Sequence, residues 1–478
     1  MGRRNEYLTL CGVMAAYTAA LLVYSQTWAF TGDEGFHLLA AQLIRSGMRP
    51  YLDFFFPQTP WNAWWNAAWM SIFGESWRVA HAVAALMTSA AVFLTADYWF
   101  RRSDVDQWRL AGSVTAGLLT GLCGVVAAYG PVAQAYALCL LLTVAAYRCC
   151  LLAVERGGWL LSAATGLLVS TAAGCSLLTA PETIILFLWI VFRTHSWRKA
   201  AAFAAAAVVP WVPVFKMAAA SPRVVWFNLV QYHTQFRHLY WPDTTEHDID
   251  VLTGWINNGQ ALTLLVLAIS GLFFVKYRGT RRRDDFYLCA GLAAALATEI
   301  STAHPTFERY YLLAVPFVAI PAVAGLYAIG SRVFGAERPW WPVIVVLAIS
   351  ALGCAKTIYE RRNLYTWGDY ESIAKKIVAV TPPGGSLYAD DHVYFVLHRK
   401  PPPGLEFAYS HKLDLPPAKR KSLHILTEDE VNRQISSGIY STVYICEDDE
   451  TYEKLGLPKL YKHREDIEDC ALFSQRAR

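Results

Sequence analysis

Charge is what this sequence has least of. Lys, Arg, Asp and Glu make up only 17% of its 478 residues. Soluble domains carry roughly 25%, and the deficit points to a bilayer, where ionic side chains are costly. The net charge is +4 and scattered, with no basic tail or arginine stripe, which excludes nucleic acid as a partner. No Cys-x-x-Cys occurs, so a zinc ribbon is excluded. Cys11, Cys123, Cys139, Cys149, Cys150, Cys175, Cys289 and Cys354 lie inside apolar runs and read as small buried hydrophobes. Cys446 and Cys470 lie in the polar C-terminal part and can pair if that part faces an oxidising compartment. There is no solenoid repeat and no low-complexity tract. Nor does a small-x-small cleavage site follow the apolar run that starts after Arg3-Arg4, so that run reads as an uncleaved first span.

What is present is apolar and aromatic. Hydrophobic residues reach 55%, and the 18 Trp and 25 Tyr suit a protein with many membrane–water interfaces. Runs near the ~20 residues a span needs predict about eleven spans: 7–29, 78–99, 110–128, 132–150, 159–177, 181–193, 200–220, 259–276, 285–303, 307–330 and 340–358. Basic residues alternate with them. Arg101, Arg102 and Arg109, then Arg148 and Arg156, then Arg193, Arg198 and Lys199, fall in even-numbered connections. So do Lys276, Arg278, Arg281, Arg282 and Arg283, then Arg332 and Arg338. The short odd-numbered connections, around Gly130 and His304, carry no Lys or Arg. The positive-inside rule then puts the N-terminus in the cytoplasm and the C-terminal segment outside, in a cell (inner) membrane.

The expected fold class is a polytopic α-helical membrane protein with a small C-terminal α/β extracytoplasmic domain. Its boundaries are a transmembrane domain over 1–360, with long outer loops 30–77 and 221–258, and a tail over 361–478. In the tail, Tyr370–Val380 and Thr427–Ser436 read as helices. Ser386–Asp390, Ser422–Leu426, Ser441–Cys446 and Ala471–Ser474 read as strands. Asp390-Asp391-His392 reads as a solvated loop rather than a metal cage, since two adjacent carboxylates do not build one.

The first outer loop carries the chemistry. Thr31-Gly32-Asp33-Glu34 matches a capping box, with Thr31 as N-cap and Glu34 at N3 of a helix over 32–46 that Gly47 stops. That accounts for Glu34 and leaves Asp33 in the first turn, where the helix dipole favours an ionised carboxylate able to act as a base. Phe36, Leu39, Ala40 and Leu43 give the helix one apolar face, which suits an interfacial position. A second helix starts at Pro60, with Trp61, Trp64, Trp65 and Trp69 as a headgroup anchor, a wall for a lipid chain or sugar face, or both. Between them, Asp53 is either a turn acid or a substrate contact, and Gln58 offers a neutral donor and acceptor. In the second loop His233 and Arg237 share a helical face, although a solvated loop explains either one alone.

The run Gly32-Asp33-Glu34…Ala41…Leu43…Gly47…Pro50-Tyr51-Leu52-Asp53…Pro60…Trp64…Phe73-Gly74…Trp77-Arg78 resembles the first loop of GT-C type membrane glycosyltransferases. The branch is that of the protein O-mannosyltransferases and the lipid A aminoarabinose transferases. His304-Pro305-Thr306-Phe307-Glu308-Arg309-Tyr310-Tyr311-Leu312-Leu313…Pro316 is similar to that branch's Arg-Tyr segment before a late span. The resemblance covers most of 1–360 as architecture and rests on these two motifs as sequence. It implies an enzyme that moves a sugar from a polyprenyl-phosphate donor to a glycan, lipid or protein acceptor on the outer face. Asp33 would be the general base. A phosphate leaving group needs no strong acid, so a single base implies inversion. In a retaining scheme Glu34 would be the nucleophile. Arg309 would meet the departing phosphate, with Tyr310 beside it and His304 as a further donor. An ion pair to Glu308, or an interfacial position, is the plain structural reading of Arg309. The aminoarabinose branch has an acid and a lysine before its proline; here Gln58-Thr59 stand there. No metal or other cofactor is therefore predicted, although a divalent metal is not excluded.

Two other functions compete. A transporter or flippase of lipid-linked glycans would place charge at midspan, whereas Glu182 and Glu299 fall near outer ends. A scaffold without activity would use the tail to bind partners.

Overall fold

The computed structural model describes residues 2–240, 243–278 and 283–476. Trp241, Pro242 and the connection holding Arg281 and Arg282 lie outside the described residues. The apolar runs form helices. Among the described residues eight are long and apolar enough to cross a membrane: Arg3–Thr27, Trp77–Arg102, Ala135–Arg156, Leu177–Thr194, Trp197–Ala220, Gly259–Lys276, Val315–Phe334 and Trp340–Glu360. Three expected spans take other forms. The run at 159–177 becomes a helix of 17 residues, Trp159–Cys175. The run at 285–303 becomes Arg283–Thr302, which carries Asp284 and Asp285 in its first turn.

The run at 110–128 breaks into Arg109–Gly121 and Gly124–Tyr129. A broken helix in a membrane protein must satisfy the backbone groups it frees. Gln260 does so from another helix. Its Oε1 accepts from Gly124 N–H at 2.9 Å, and its Nε2 donates to the carbonyls of Leu122 at 2.7 Å and Ser350 at 2.8 Å. The hydroxyl of Tyr17 donates to the Gly121 carbonyl at 3.2 Å.

The chain gathers into two compact units. The first comprises Met1–Ala29, Ala80–Pro213 and Trp241–Leu364. Its tightest helix pair is Gly259–Arg278 on Val315–Phe334. A Cβ at Gly271 would strike the Pro321 carbonyl, and one at Gly325 the Leu267 carbonyl. Small residues let the two backbones touch, the usual device where lipid gives no hydrophobic drive between helices. Leu10, Met14, Tyr17 and Leu21 of the first helix pack on Ala85, Val92 and Ala96. Several basic residues of the even-numbered connections are paired. Arg102 donates to Glu155 at 2.7 Å and to Asp285 at 2.8 Å, and Asp97 accepts from Arg101 at 2.7 Å and Arg148 at 2.9 Å.

The second unit comprises Phe30–Val79, Val214–Tyr240 and Tyr365–Arg478. The tail thus shares its unit with segments of both long connections. It holds a four-stranded sheet of β1 (Leu387–Tyr388), β2 (Thr442–Ile445), β3 (Tyr461–Ile467) and β4 (Cys470–Arg476), in the order β1-β2-β4-β3. β1 runs parallel to β2 with Leu387 opposite Thr442. β4 runs antiparallel to both β2 and β3, with Val443 opposite Phe473 and Ile467 opposite Cys470. Cys446, just past β2, is disulfide-bonded to Cys470. The expected helices form as Trp367–Val380 and Glu428–Ser436, the latter with a capping box between Thr427 and Glu430. Ser422–Leu426 is not a strand. It ends the helix Pro417–Leu423 and turns at His424, whose φ is 58°.

Candidate active site

The first loop turns at Thr31, whose carbonyl accepts from Glu34 N–H at 3.0 Å, and continues as the helix Glu34–Arg45. Gly47 follows at φ 93°, the left-handed backbone that a glycine stop supplies. The expected capping box does not form. Asp33, not Thr31, is the N-cap residue, and no side chain makes a capping bond there. Glu34 turns the other way. Its carboxylate is fully buried and accepts from Trp367 Nε1 at 2.9 Å. Asp33 is half-buried at the helix N-terminus. The two acids therefore stand in different environments, one sealed in protein and one reachable.

Nor does the helix lie half-exposed, as an interfacial helix would. Every residue from Glu34 to Leu43 is buried. It packs on Trp61–Phe73 and on the tail helix Asp391–Val396. The closest approach is at Gly35, where a Cβ would sit 2.6 Å from His392 Nδ1. Phe36 meets Phe407 edge to face at 5.0 Å. In the second helix Trp69 is buried and donates to Asn66 Oδ1 at 2.8 Å, while Trp65 stays exposed.

The segment between these helices is held by polar contacts to distant parts of the same unit. Asp53 accepts from Arg49 through Nε at 3.0 Å and Nη2 at 2.9 Å, and from Arg49 N–H at 2.7 Å. That fork holds its carboxyl below the usual carboxylate range, and it accounts for Asp53 as a turn acid. Tyr51 sits at φ 70°, fully buried, and its hydroxyl donates to the Gln58 carbonyl at 2.7 Å. The Gln58 side chain is half-buried. Phe56 N–H donates to Asn228 Oδ1 at 3.1 Å, and the Leu52 carbonyl lies 2.8 Å from His424 Nε2.

Asn228 is the second residue of a π-helical segment, Phe227–Phe236, that carries His233; Arg237 begins the turn after it. Such i→i+5 turns recur at functional sites. Burial, with the Arg237 charge nearby, lowers the His233 pKa to about 4 despite the Pro57 backbone, so the ring is neutral at pH 7. A neutral imidazole offers one donor and one acceptor rather than a charge.

His304, Arg309 and Tyr310 belong to the other compact unit. His304 Nδ1 lies 2.5 Å from Asp248 Oδ2, and Thr306 N–H donates to Asp248 Oδ1 at 2.7 Å. His247 Nε2 lies 3.0 Å from the Thr306 carbonyl. The second long loop thus clamps the connection that bears Arg309. The Arg309 guanidinium stacks 4.2 Å above the Phe307 ring, and Tyr310 is buried behind it.

Asp33, Glu34, Asp53, Gln58, His233 and Arg237 are accordingly residues of one compact unit, and His304, Arg309 and Tyr310 of the other. Sequence reasoning did not single out Trp367, Asn228 or His424, which carry no motif. It did single out Asp390-Asp391-His392, whose ring proves buried rather than solvated. One donor atom from each of these three lies within 4.8 Å of the other two.

No protein-family profile and no curated protein matches this chain. Solved structures do. ArnT from Cupriavidus metallidurans bound to undecaprenyl phosphate superposes with a TM-score of 0.69 at 14% identity, covering 97% of each chain. The same protein in the apo state gives 0.67 at 15%, covering 99% of this chain and 98% of the other. The chain therefore has the fold of ArnT, a GT-C type architecture.

Proposed function

We propose that the protein is an integral membrane glycosyltransferase that moves a sugar from a polyprenyl-phosphate donor to an acceptor on the extracytoplasmic face. The observation that carries this reading is the fold likeness to ArnT over 97% of both chains, with undecaprenyl phosphate bound in that structure. Within this chain the environments of the two loop acids support it. Asp33 is the reachable carboxylate, and Glu34 is engaged by Trp367.

In the proposed mechanism Asp33 takes the proton of the acceptor nucleophile as it attacks the anomeric carbon. The bond to the lipid phosphate breaks on the opposite face, so the centre inverts. The leaving phosphate is already a stable anion, and what it requires is positive charge. Arg309 is assigned that role. Its planar fork matches phosphate oxygens, and its stacking on Phe307 limits the freedom it must lose on binding. His233, neutral at pH 7, and Arg237 are assigned to substrate contacts. Glu34 is assigned to holding the loop.

The test is transfer by the full protein in liposomes supplied with sugar-loaded undecaprenyl phosphates and with glycan, lipid and peptide acceptors in turn, read as acceptor-dependent release of undecaprenyl phosphate. Asp33→Asn is expected to lower the rate about 10²–10⁴-fold, the usual contribution of a general base, with unchanged expression and monodispersity. Full activity of that variant would remove Asp33 from the chemistry. Movement of intact donor across the bilayer without sugar release would instead favour a flippase.

A further inference from the structure

We infer that Trp367 and Glu371, both on the tail helix Trp367–Val380, are positioning residues for Asp33 that act by gripping the two ends of the first loop. The inference rests on the proposed role of Asp33 as the base in sugar transfer. The two residues stand at i and i+4, so they share one face of the helix. Trp367 Nε1 donates to Glu34 Oε2 at 2.9 Å, at the start of the loop. Trp77 Nε1, at its end, donates to Glu371 Oε1 at 2.7 Å. The bonds run in opposite senses, so the tail offers one indole and receives another. The two indoles stack, with 12° between planes and 6.2 Å between centroids. That spacing falls in the range of offset-stacked rings.

Each part of this crossed pair is fixed in turn. Both indoles and the Glu34 side chain are buried. A buried carboxyl group is costly without a partner, so Glu34 does not give up the indole without loss. Indole is a donor only, which fixes the direction of each bond. The second oxygen of Glu371 accepts from Arg78 Nη2 at 3.2 Å, and the Arg78 guanidinium lies 4.2 Å over the Trp77 ring. The far end of the helix Glu34–Arg45 is tied as well. Gln42 Nε2 donates to Glu75 Oε2 at 2.7 Å, Arg45 pairs with the same carboxylate, and His398 Nδ1 of the tail lies 3.0 Å from it. Gly35 lies against His392 with no room for a Cβ. The tail thus holds the acid-bearing helix at its first turn and, through Glu75, at its last.

Asp33 directly precedes Glu34 and is half-buried at the same helix N-terminus. Its backbone therefore follows the seat of Glu34. A base works only within hydrogen-bond reach of the proton it takes, and a displacement of about 1 Å costs on the order of 10²-fold in rate. Trp367 touches neither sugar nor phosphate. It sets where the Asp33 carboxylate stands, and Glu371 keeps Trp77, at the other end of the loop, from drifting. The tail is then part of the frame of the active site and not an appended module.

The test measures kcat and KM of the full-length protein in liposomes, per folded and monodisperse enzyme, together with amide hydrogen exchange of the same samples. Trp367→Phe keeps a packed ring and removes the donor. It is expected to lower kcat about 10–100-fold with the KM for the lipid donor unchanged, the pattern of a group that serves the transition state alone. It is also expected to speed exchange in Glu34–Arg45 while β2 stays protected. Glu34→Leu removes the acceptor, so adding Trp367→Phe to it is expected to cost no more than about twofold in kcat beyond Glu34→Leu alone. Glu371→Leu is expected to lower kcat, and Glu371→Gln, which keeps an acceptor for Trp77, to recover most of that loss. Glu371 is half-buried, so this second pair decides the matter even if Trp367→Phe does not fold. Unchanged kcat in Trp367→Phe, a loss that adds in full to that of Glu34→Leu, or equal kcat in Glu371→Leu and Glu371→Gln would each overturn the inference. A wild type inactive on every acceptor would overturn the sugar-transfer reading. Unchanged exchange at Glu34–Arg45 in Trp367→Phe would overturn the grip of the tail, whether or not sugar moves.

Discussion

A carboxylate's role here is set by what surrounds it, and the buried acids of the second unit differ accordingly. Glu406 is buried, and burial pushes its carboxyl up to about 7 although Gly404 N–H donates to it at 2.7 Å. Its folded pKa lies above the ordinary 4.5. The folded state therefore holds the extra proton, and stability is complete below about pH 4.5 and falls as pH rises through about 7. Glu406→Gln keeps the shape and the acceptor but cannot ionise. It is expected to be more stable than wild type at pH 8 by about 1–3 kcal/mol, with the gap closing at pH 4.5. Thermal unfolding of both proteins at the two pH values checks this. A constant gap would show that the charge is not the cause. Asp33 stood out in the sequence as a candidate because it stands at the edge of a long apolar run. The burial of Glu34 was not, because Trp367, which holds it, is 333 residues away. A capping box is a local pattern, and a distant indole overrides it.

At the scale of single elements the long apolar runs were legible, and so were helices with local caps, as at Thr427. Elements that depend on remote partners were not. β3 reads Tyr-Lys-His-Arg-Glu-Asp-Ile with both ends buried and the middle turned mostly to solvent. An edge strand can be this charged because only one of its sides is paired, and charge of that kind hides the strand in the sequence. The break at Leu122-Cys123 was equally invisible, because its repair lies 136 residues on, in Gln260. Gln260→Leu would leave one N–H and two carbonyls without this partner. The cost is expected to be about 3 kcal/mol or more, at roughly 1–3 kcal/mol for each orphaned group. Unfolding in detergent, compared with Gln260→Glu, measures it. Glu keeps an acceptor for Gly124 but no donor for the carbonyls, so it should rescue only part of the loss. A neutral Gln260→Leu would mean that water or neighbouring groups can replace the side chain.

For the whole molecule, the shortage of charge was enough to read an integral membrane protein, and eight helices meet the length and composition of a span. Composition could not reveal that segments of two long connections and the tail make one compact unit. That grouping arises from contacts such as Phe56 with Asn228 and Leu52 with His424, between residues far apart in the chain. The orientation proposed from the basic residues has its own test. A protease added outside intact spheroplasts is expected to degrade the segment after Tyr365 and spare an N-terminal tag. The pairing of Cys446 with Cys470 suits that side, since disulfides persist in oxidising compartments. Digestion of the N-terminal tag instead would reverse the assigned orientation.

The bond between Glu34 and Trp367 also has a consequence in time. Ribosomes add about 5–20 residues per second, so the 333 residues that separate the pair take on the order of half a minute to make. During that interval the nascent first loop has emerged without its indole, and Glu34 waits among water, lipid headgroups or a chaperone. The acid-bearing helix, though made early, is finished late. A stalled or prematurely terminated chain would have all of its first loop and no closed seat for Glu34.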